Sequence, residues 1–176
     1  MITDFELIQQ FQKGDKSAFD TLVKKHFNTT YGLLLRMVQE PFDAEDLCQE
    51  VYIKVYKNLE KFRFESEFST WLYRISINAA NNFFRKRKLR EIFGVGKNIT
   101  QMEAPAEKPF SSHEPILWDA ITKLPKNQRT SVMLRNFQQL PFKEIAGVMG
   151  ITENSAKVNS HDALKNLKKH LKKDYE

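Results

Sequence analysis

Glycine and proline, the two residues that most often interrupt regular structure, are scarce in this chain and unevenly spread. Six of each occur in 176 residues, and Gly94, Gly96, Pro105 and Pro109 fall in one stretch that also holds Ser111 and Ser112, with Pro115 just beyond it. That stretch, about Phe93 to His113, reads as a flexible linker. It leaves two long segments, 1–92 and 114–176, in which apolar residues recur at helical spacing. The expected fold is therefore all-α, with two small helical domains joined by the linker at 93–113. No internal repeat is visible.

In the first segment, Asp4 is a candidate cap for a helix carrying Phe5, Ile8 and Phe11, ending near Gly14. Ser17 is a candidate cap for the next, with Phe19, Leu22, Val23 and Phe27 on one side and Tyr31, Leu34, Leu35 and Val38 continuing it until Pro41. Asp43 then resembles an N-cap, with Glu45 and Asp46 in the first turn, where carboxylates suit the helix dipole. Leu47, Val51, Val55 and Leu59 recur every four residues and predict a buried stripe, off which Asp46, Gln49, Glu50 and Lys54 project. Ser69 is a candidate cap for a further helix to about Arg90, with Leu72, Ile75, Ala79 and Phe83 inside.

Charge changes sign along this half. No Lys or Arg lies between Met37 and Ile53, whereas Phe83-Phe84 leads directly into Arg85-Lys86-Arg87-Lys88. One end repels phosphate and the other attracts it, which suits a basic partner on one surface and a nucleic acid on another. Phe62, Phe64, Phe68, Trp71, Tyr73, Phe83 and Phe84 lie between and could stack on exposed bases, although ring by ring a place in the core is the better expectation. Asn78, Asn81 and Asn82 fit a core poorly, because asparagine lowers helix propensity. Together with the basic run they read as a nucleic-acid face.

The second segment carries a helix-turn-helix pattern. Glu114 to Lys123 and Lys126 to Phe137 predict two helices, and Pro141 sits at the start of a third, Phe142 to Met149. A helix-turn-helix needs a small residue where its helices touch, a glycine able to take positive φ in the turn, and apolar residues that lock the angle. Ala146, Gly150 and Ile151 supply these, with Ala156 and Val158 expected to pack back. Thr152 is a suitable N-cap for a second helix, Glu153 to Lys173, which would enter the major groove by its N-terminal end. Thr152, Glu153, Asn154, Ser155 and Lys157 then stand where base edges and phosphates are met. Further along, Leu164, Leu167 and Leu171 predict an inner face, and Lys165, Lys168, Lys169, Lys172 and Lys173 an outer one that adds phosphate contacts.

The balance of +6 favours anionic partners, nucleic acid first and a membrane surface second. Cys48 is the single cysteine, so no intrachain disulfide is possible, and His26, His113, His161 and His170 show no metal-ligand spacing. No nucleophile–base pair, carboxylate dyad or phosphate-cradling glycine loop is visible. The expectation is a non-enzymatic protein with no metal and no cofactor. The acidic start, Met1 to Glu6, lacks the basic and apolar regions of a signal peptide, and no apolar run approaches the ~20 residues of a membrane span. Membrane insertion is not expected, and the cytoplasm is the default location.

The order of these motifs resembles a known family. Asp43-Ala44-Glu45-Asp46-Leu47-x-Gln49-Glu50-Val51 comes first, then Phe68-Ser69-Thr70-Trp71-Leu72-Tyr73-Arg74-Ile75, Asn78 and the basic run. Leu124-Pro125-x-x-Gln128-Arg129, Phe142-x-Glu144-Ile145-Ala146 and Gly150-Ile151-Thr152 follow. This is similar to the bacterial RNA polymerase sigma factors of the extracytoplasmic-function type, over almost the whole chain. The resemblance implies a two-domain initiation factor that binds core RNA polymerase and promoter DNA, double- and single-stranded. It implies that the acidic helix docks on the clamp of the largest polymerase subunit, through Asp43, Asp46, Gln49, Glu50 and Lys54. It implies that the helix from Ser69 to Arg90, with the loop before it, reads and helps melt the −10 element. Asn78, Asn82 and Arg85 would lie near a flipped base there, with Lys86 and Arg87 on phosphates. Domain two, 114–176, would bind the −35 element through its recognition helix, and the linker would thread toward the RNA exit path. Such proteins are often held by a membrane-bound anti-sigma factor, so an anti-sigma factor is a further partner the resemblance suggests.

Two departures stand out. Asn82 replaces a common aspartate, and Asn159-Ser160-His161-Asp162-Ala163-Leu164 replaces a run close to Arg-Leu-His-Arg-Ala-Arg, losing two cations, gaining an acid and putting Ser160 at a core leucine position. Two other readings compete. A stand-alone helix-turn-helix regulator would leave the acidic patch at Asp43–Glu50 unexplained. A metal-dependent nuclease using Glu45, Asp46 and Glu50 is disfavoured, because their spacing does not converge three carboxylates on one helix face.

Overall fold

Thr3, not Asp4, caps the first helix. Its hydroxyl accepts from the Glu6 amide while the Glu6 carboxylate accepts from the Thr3 amide, a reciprocal capping box. This computed structural model describes residues 2–93 and 114–173. Their regular structure is helical: α1 (Asp4–Gln12), α2 (Ser17–Val38), α3 (Pro41–Leu59), α4 (Phe68–Ile92), α5 (Glu114–Thr122), α6 (Lys126–Val132), α7 (Phe142–Met149) and α8 (Glu153–Lys173). A π-helical turn, Met133–Phe137, extends α6. The predicted linker lies outside the described residues apart from Phe93.

Several helix starts differ from the sequence expectation by one to three residues. The Asp15 carboxylate accepts from both the amide and the hydroxyl of Ser17, so Asp15 organises the start of α2. Pro41 opens α3 instead of only ending α2, because its missing N–H costs nothing in the first turn. Glu40, not Asp43, is its N-cap. Asp43 alone is acidic in that first turn, and Asp46 lies further along. Ser69 caps nothing, since α4 already begins at Phe68.

The first unit packs α1 to α4 around Leu22, Leu33, Leu34, Val51, Leu59 and Leu72. Leu47, Val51, Val55 and Leu59 are all buried, as their spacing predicts, and each contributes about 1.5–3 kcal/mol relative to exposure. The aromatic run is core or packed against core throughout: Phe68 and Tyr73 are buried, and Phe62, Phe64, Trp71, Phe83 and Phe84 are half-buried.

In the second unit, α6 and α8 touch along small side chains. Ala156, Ser160 and Ala163 are buried on α8, and the buried Ser131 hydroxyl donates to the Ala156 carbonyl at 3.0 Å. Ser160 thus occupies an inner position at which its small size admits α6 closely. The inner stripe 156–160–163–167 leaves no room for two predicted members. Val158 lies 200° round the helix from Ala156 and is 51% exposed; Leu164, one step from Ala163, is 52% exposed. Leu167 is buried and Leu171 half-buried, as predicted.

The two units also pack on each other, chiefly through α4 and α7. Tyr73 Oη donates to Gln138 Oε1 at 3.1 Å, and the Arg74 guanidinium donates to the Gly147 carbonyl. The Arg129 guanidinium sits 4.4 Å from the Phe84 ring centre, and that of Arg36 lies 5.5 Å from the Phe137 ring centre. At Gly147 the helices come so close that a Cβ would stand 3.8 Å from Thr70 Cγ2.

Candidate polymerase and nucleic-acid interfaces

The stripe buried by α3 turns its other side outward. Asp46, Gln49 and Glu50 are exposed there. Lys54, at the next turn, pairs with Glu50 and is partly buried, so it shields one carboxylate of the acidic face. Asp43 is half-buried. Burial and the nearby Glu40 carboxylate push its pKa up, while the guanidinium groups of Arg87 and Arg90 pull it down. The acidic start of α3 and the basic end of α4 are therefore neighbours, where the sequence reading assigned them to separate surfaces.

The acidic face holds two residues that charge-based reading missed. Phe42 is 72% exposed and Ile53 is 54% exposed, beside Asp46 and Glu50 respectively. Ile53 was legible as an apolar residue lying off the Leu47–Leu59 stripe. Phe42 had no comparable signal, because its exposure follows from Pro41 starting the helix.

Helix α4 has three sides. Leu72, Ser76 and Ala79 face the first unit's core, and Thr70, Tyr73 and Arg74 meet the second unit. The third side carries Asn78, Asn82 and Arg85, all exposed and spaced four and three residues apart, so one face holds them. Lys86 is exposed beside them. Arg87 is exposed but turned toward Asp43, about 140° from Asn82. Asn81, three residues from Asn78 and four from Arg85, borders the same face but is half-buried.

The turn between α7 and α8 has the predicted geometry. Gly150 adopts φ +67°, and the Ile151 amide donates back to the Ala146 carbonyl at 3.1 Å. Only a residue without Cβ takes that conformation at no cost. Ala146 is buried at the helix contact. Thr152 Oγ1 accepts from the Ser155 amide at 3.1 Å and also meets Ser155 Oγ at 2.8 Å. Thr152 is thus the cap, and the half-buried Ser155 is partly committed to it. Glu153, Asn154 and Lys157 are exposed, but Lys157 Nζ lies 2.8 Å from Glu153 Oε1. An incoming phosphate would have to compete with that carboxylate.

Burial raises the Cys48 thiol to about 11, and it raises the Tyr52 phenol, hydrogen-bonded to Thr30, to about 12. Both groups are neutral and structural at ordinary pH. Among the described residues no group of three His, Cys, Asp or Glu side chains could hold a metal, so Glu45, Asp46 and Glu50 do not converge. Among the same residues no helix is long and apolar enough to cross a membrane.

The family description "Sigma-70 region 2" matches residues 22–90, and "Sigma-70, region 4" matches residues 115–167. The ECF RNA polymerase sigma-E factor of Haemophilus influenzae is 37% identical over 160 residues, covering 84% of each chain. The RNA polymerase sigma-H factor of Pseudomonas aeruginosa is 37% identical over 158 residues, covering 83% of this chain and 82% of that one. The Escherichia coli K12 sigma-E factor is 33% identical over 160 residues, covering 84% and 83%. Among solved structures, CnrH in complex with the cytosolic domain of CnrY has TM-score 0.71 at 20% identity and 96% coverage of both chains. The sigma factor RpoE in complex with the anti-sigma factor NepR from Bartonella quintana has TM-score 0.71 at 21% identity, covering 88% of this chain and 96% of that one. At these identities the two structures show a shared fold.

Proposed function

The chain belongs to the sigma-70 family, in its extracytoplasmic-function group, and we propose that its two helical units divide the work of initiation. It is a transcription initiation factor. The unit 1–92 docks on the clamp of core RNA polymerase and handles the −10 element. The unit 114–176 reads the −35 element, and 93–113 links them. We assign it no chemistry of its own and place it in the cytoplasm with the polymerase. An anti-sigma factor is a reasonable further partner, since the two structural relatives were solved with CnrY and with NepR.

The observation that carries this reading is that α3 and α4 each present an exposed face of different chemistry. Asp46, Gln49 and Glu50 form an exposed acidic surface, widened by the apolar Phe42 and Ile53. A basic protein surface would be recognised by the charges and anchored by the apolar pair. Asn78, Asn82 and Arg85 form a second exposed face, able to hydrogen-bond base edges and a phosphate. The start of α8, with Glu153, Asn154 and Lys157 exposed beyond the Thr152 cap, supplies a third. A stand-alone regulator would use only the third face.

The docked arrangement of the two units has a consequence for this function. Asn82 lies 12 residues, about 18 Å, along α4 from Thr70, and Glu153 lies six residues, at most about 21 Å of chain, from Gly147. The two reading faces thus lie within about 45 Å. Elements centred near −10 and −35 are about 85 Å apart on B-DNA. The α4–α7 contact must therefore open before both elements are engaged. Co-elution of the chain with core polymerase, together with specific initiation in run-off transcription, tests the proposal; properly folded protein that does neither overturns it.

A further inference from the structure

The loop before α4, residues 60–67, is held from outside by α1. Phe64 sits at φ +57°, a left-handed conformation that an aromatic side chain rarely adopts and that persists only when surrounding contacts fix it. Three side chains fix it, Phe5 and Gln12 from α1 and Lys16 just beyond it. The Phe5 ring lies 4.8 Å from the Phe64 ring, tilted at 55°. Gln12 Nε2 donates to the Leu59 carbonyl at 3.1 Å, which also accepts from the Phe62 amide, and to the Phe62 carbonyl at 3.0 Å. Lys16 Nζ reaches Glu60 Oε1 at 2.6 Å. From Phe64 the packing runs to Phe62 at 5.1 Å and on to Trp71 in the first turns of α4, again at 5.1 Å. Four residues past Arg74, the free side of that helix begins with Asn78.

We infer that α1 is a positioning element for −10 recognition, with Phe5 setting the conformation of the 60–67 loop through Phe64. The inference rests on the reading of α4 given above. Helix α1 lies outside the residues matched by the region 2 description, whereas the loop lies within them. Phe5 is 51% exposed, so its ring adds little to the core and its main partner is the strained residue. Left-handed backbone at an aromatic is disfavoured, and the contacts from Phe5, Gln12 and Lys16 oppose its relaxation. The loop conformation in turn sets what lies beside the Asn78–Asn82–Arg85 face when a base leaves the stack.

The test uses the full chain with core polymerase on a promoter selected from a random library, and on variants of it with single −10 substitutions. The readout is the ratio of initiation on the selected sequence to initiation on each variant. Phe5→Ala is expected to lower that ratio about two- to tenfold, the span of one aromatic pair. Polymerase affinity and −35 duplex binding should stay unchanged, and Phe5→Tyr should retain the ratio. Phe64→Gly, which relieves the backbone while removing the ring, should cause a comparable loss. The double variant should lose no more than the larger single loss, because both remove one contact. Loss of activity that is uniform across −10 sequences, or full additivity of the two substitutions, overturns the inference and leaves α1 a plain stabilising helix. If the unaltered chain shows no −10 discrimination, the assignment of α4 fails, and the inference with it.

Discussion

Cysteines at positions 70 and 147 should fix the two units together and block initiation. The Cβ that Gly147 lacks would stand 3.8 Å from Thr70 Cγ2, so the two Cβ positions lie no more than about 5.3 Å apart, within reach of a disulfide after a small backbone shift. Cys48 will not interfere: it is buried, and with its thiol near 11 only about one molecule in a thousand carries a thiolate at pH 8. Without the bond, the polar contacts across the units among the described residues include a neutral hydrogen bond from Tyr73, a charged one from Arg74, and ring contacts from Arg36 and Arg129, beside the packing of α4 on α7. Set against this is the cost of burying Arg129, whose pKa desolvation pulls down and whose Nε has no hydrogen-bond partner. A net closure on the order of 3 kcal/mol would leave an open fraction of about one in a hundred. Polymerase binding can draw on that fraction readily. A disulfide between these positions holds the closed arrangement covalently and forbids separation outright. In run-off transcription, oxidised Thr70→Cys/Gly147→Cys protein should give no specific product and should recover on reduction. Tyr73→Phe, which removes about 1 kcal/mol of closure, should raise the open fraction about fivefold in an interdomain energy-transfer measurement. Full activity of the oxidised protein would refute the argument that the units must part.

Four further outcomes follow from the site geometry. Glu50→Lys should weaken polymerase binding in a competition assay while leaving −35 duplex binding unchanged, and Phe42→Ala should do the same without altering charge. Lys157→Ala should lower the salt slope of −35 binding by about one unit if Lys157 meets a phosphate, and Glu153→Gln, which frees that lysine, should strengthen binding at low salt. Asp43→Asn should raise Tm at pH 7: its folded pKa is raised, so ionised Asp43 opposes folding, and the penalty grows as pH rises through the carboxylate range; a lower Tm would mean that Arg87 and Arg90 outweigh desolvation. Gly150→Ala should cost about 1 kcal/mol or more by chemical denaturation, because alanine is strained at φ +67°.

The elements with strong periodicity were legible from sequence, and so was the turn. The Leu47–Leu59 stripe and the Ala146, Gly150, Ile151 and Thr152 pattern each reflect a local rule, and each appears where expected. Helix starts were less legible, because Thr3, Asp15 and Glu40 compete with equally good neighbours and only the full backbone decides which oxygen reaches which amide. Val158 and Leu164 were misplaced because α6 approaches α8 along Ala156, Ser160 and Ala163, a tertiary preference for small residues that hydrophobicity alone does not encode. The nearness of Arg87 to Asp43 and the α4–α7 contact depend on how separate helices pack, which no local pattern carries. Within the candidate sites, Asp46, Gln49, Glu50, Asn78, Asn82 and Arg85 are exposed on the faces their spacing assigns, whereas Lys54, Ser155 and Lys157 already have partners in the folded chain.

Run-off transcription with core polymerase on a library randomised from −40 to −5 tests the central claim most directly. The expected result is enrichment of two sequence blocks at fixed spacing, dependent on both proteins, with Glu50→Lys reducing all products and Lys157→Ala weakening selection of the upstream block alone. No enrichment over core polymerase, or a single block bound equally well without polymerase, would contradict it.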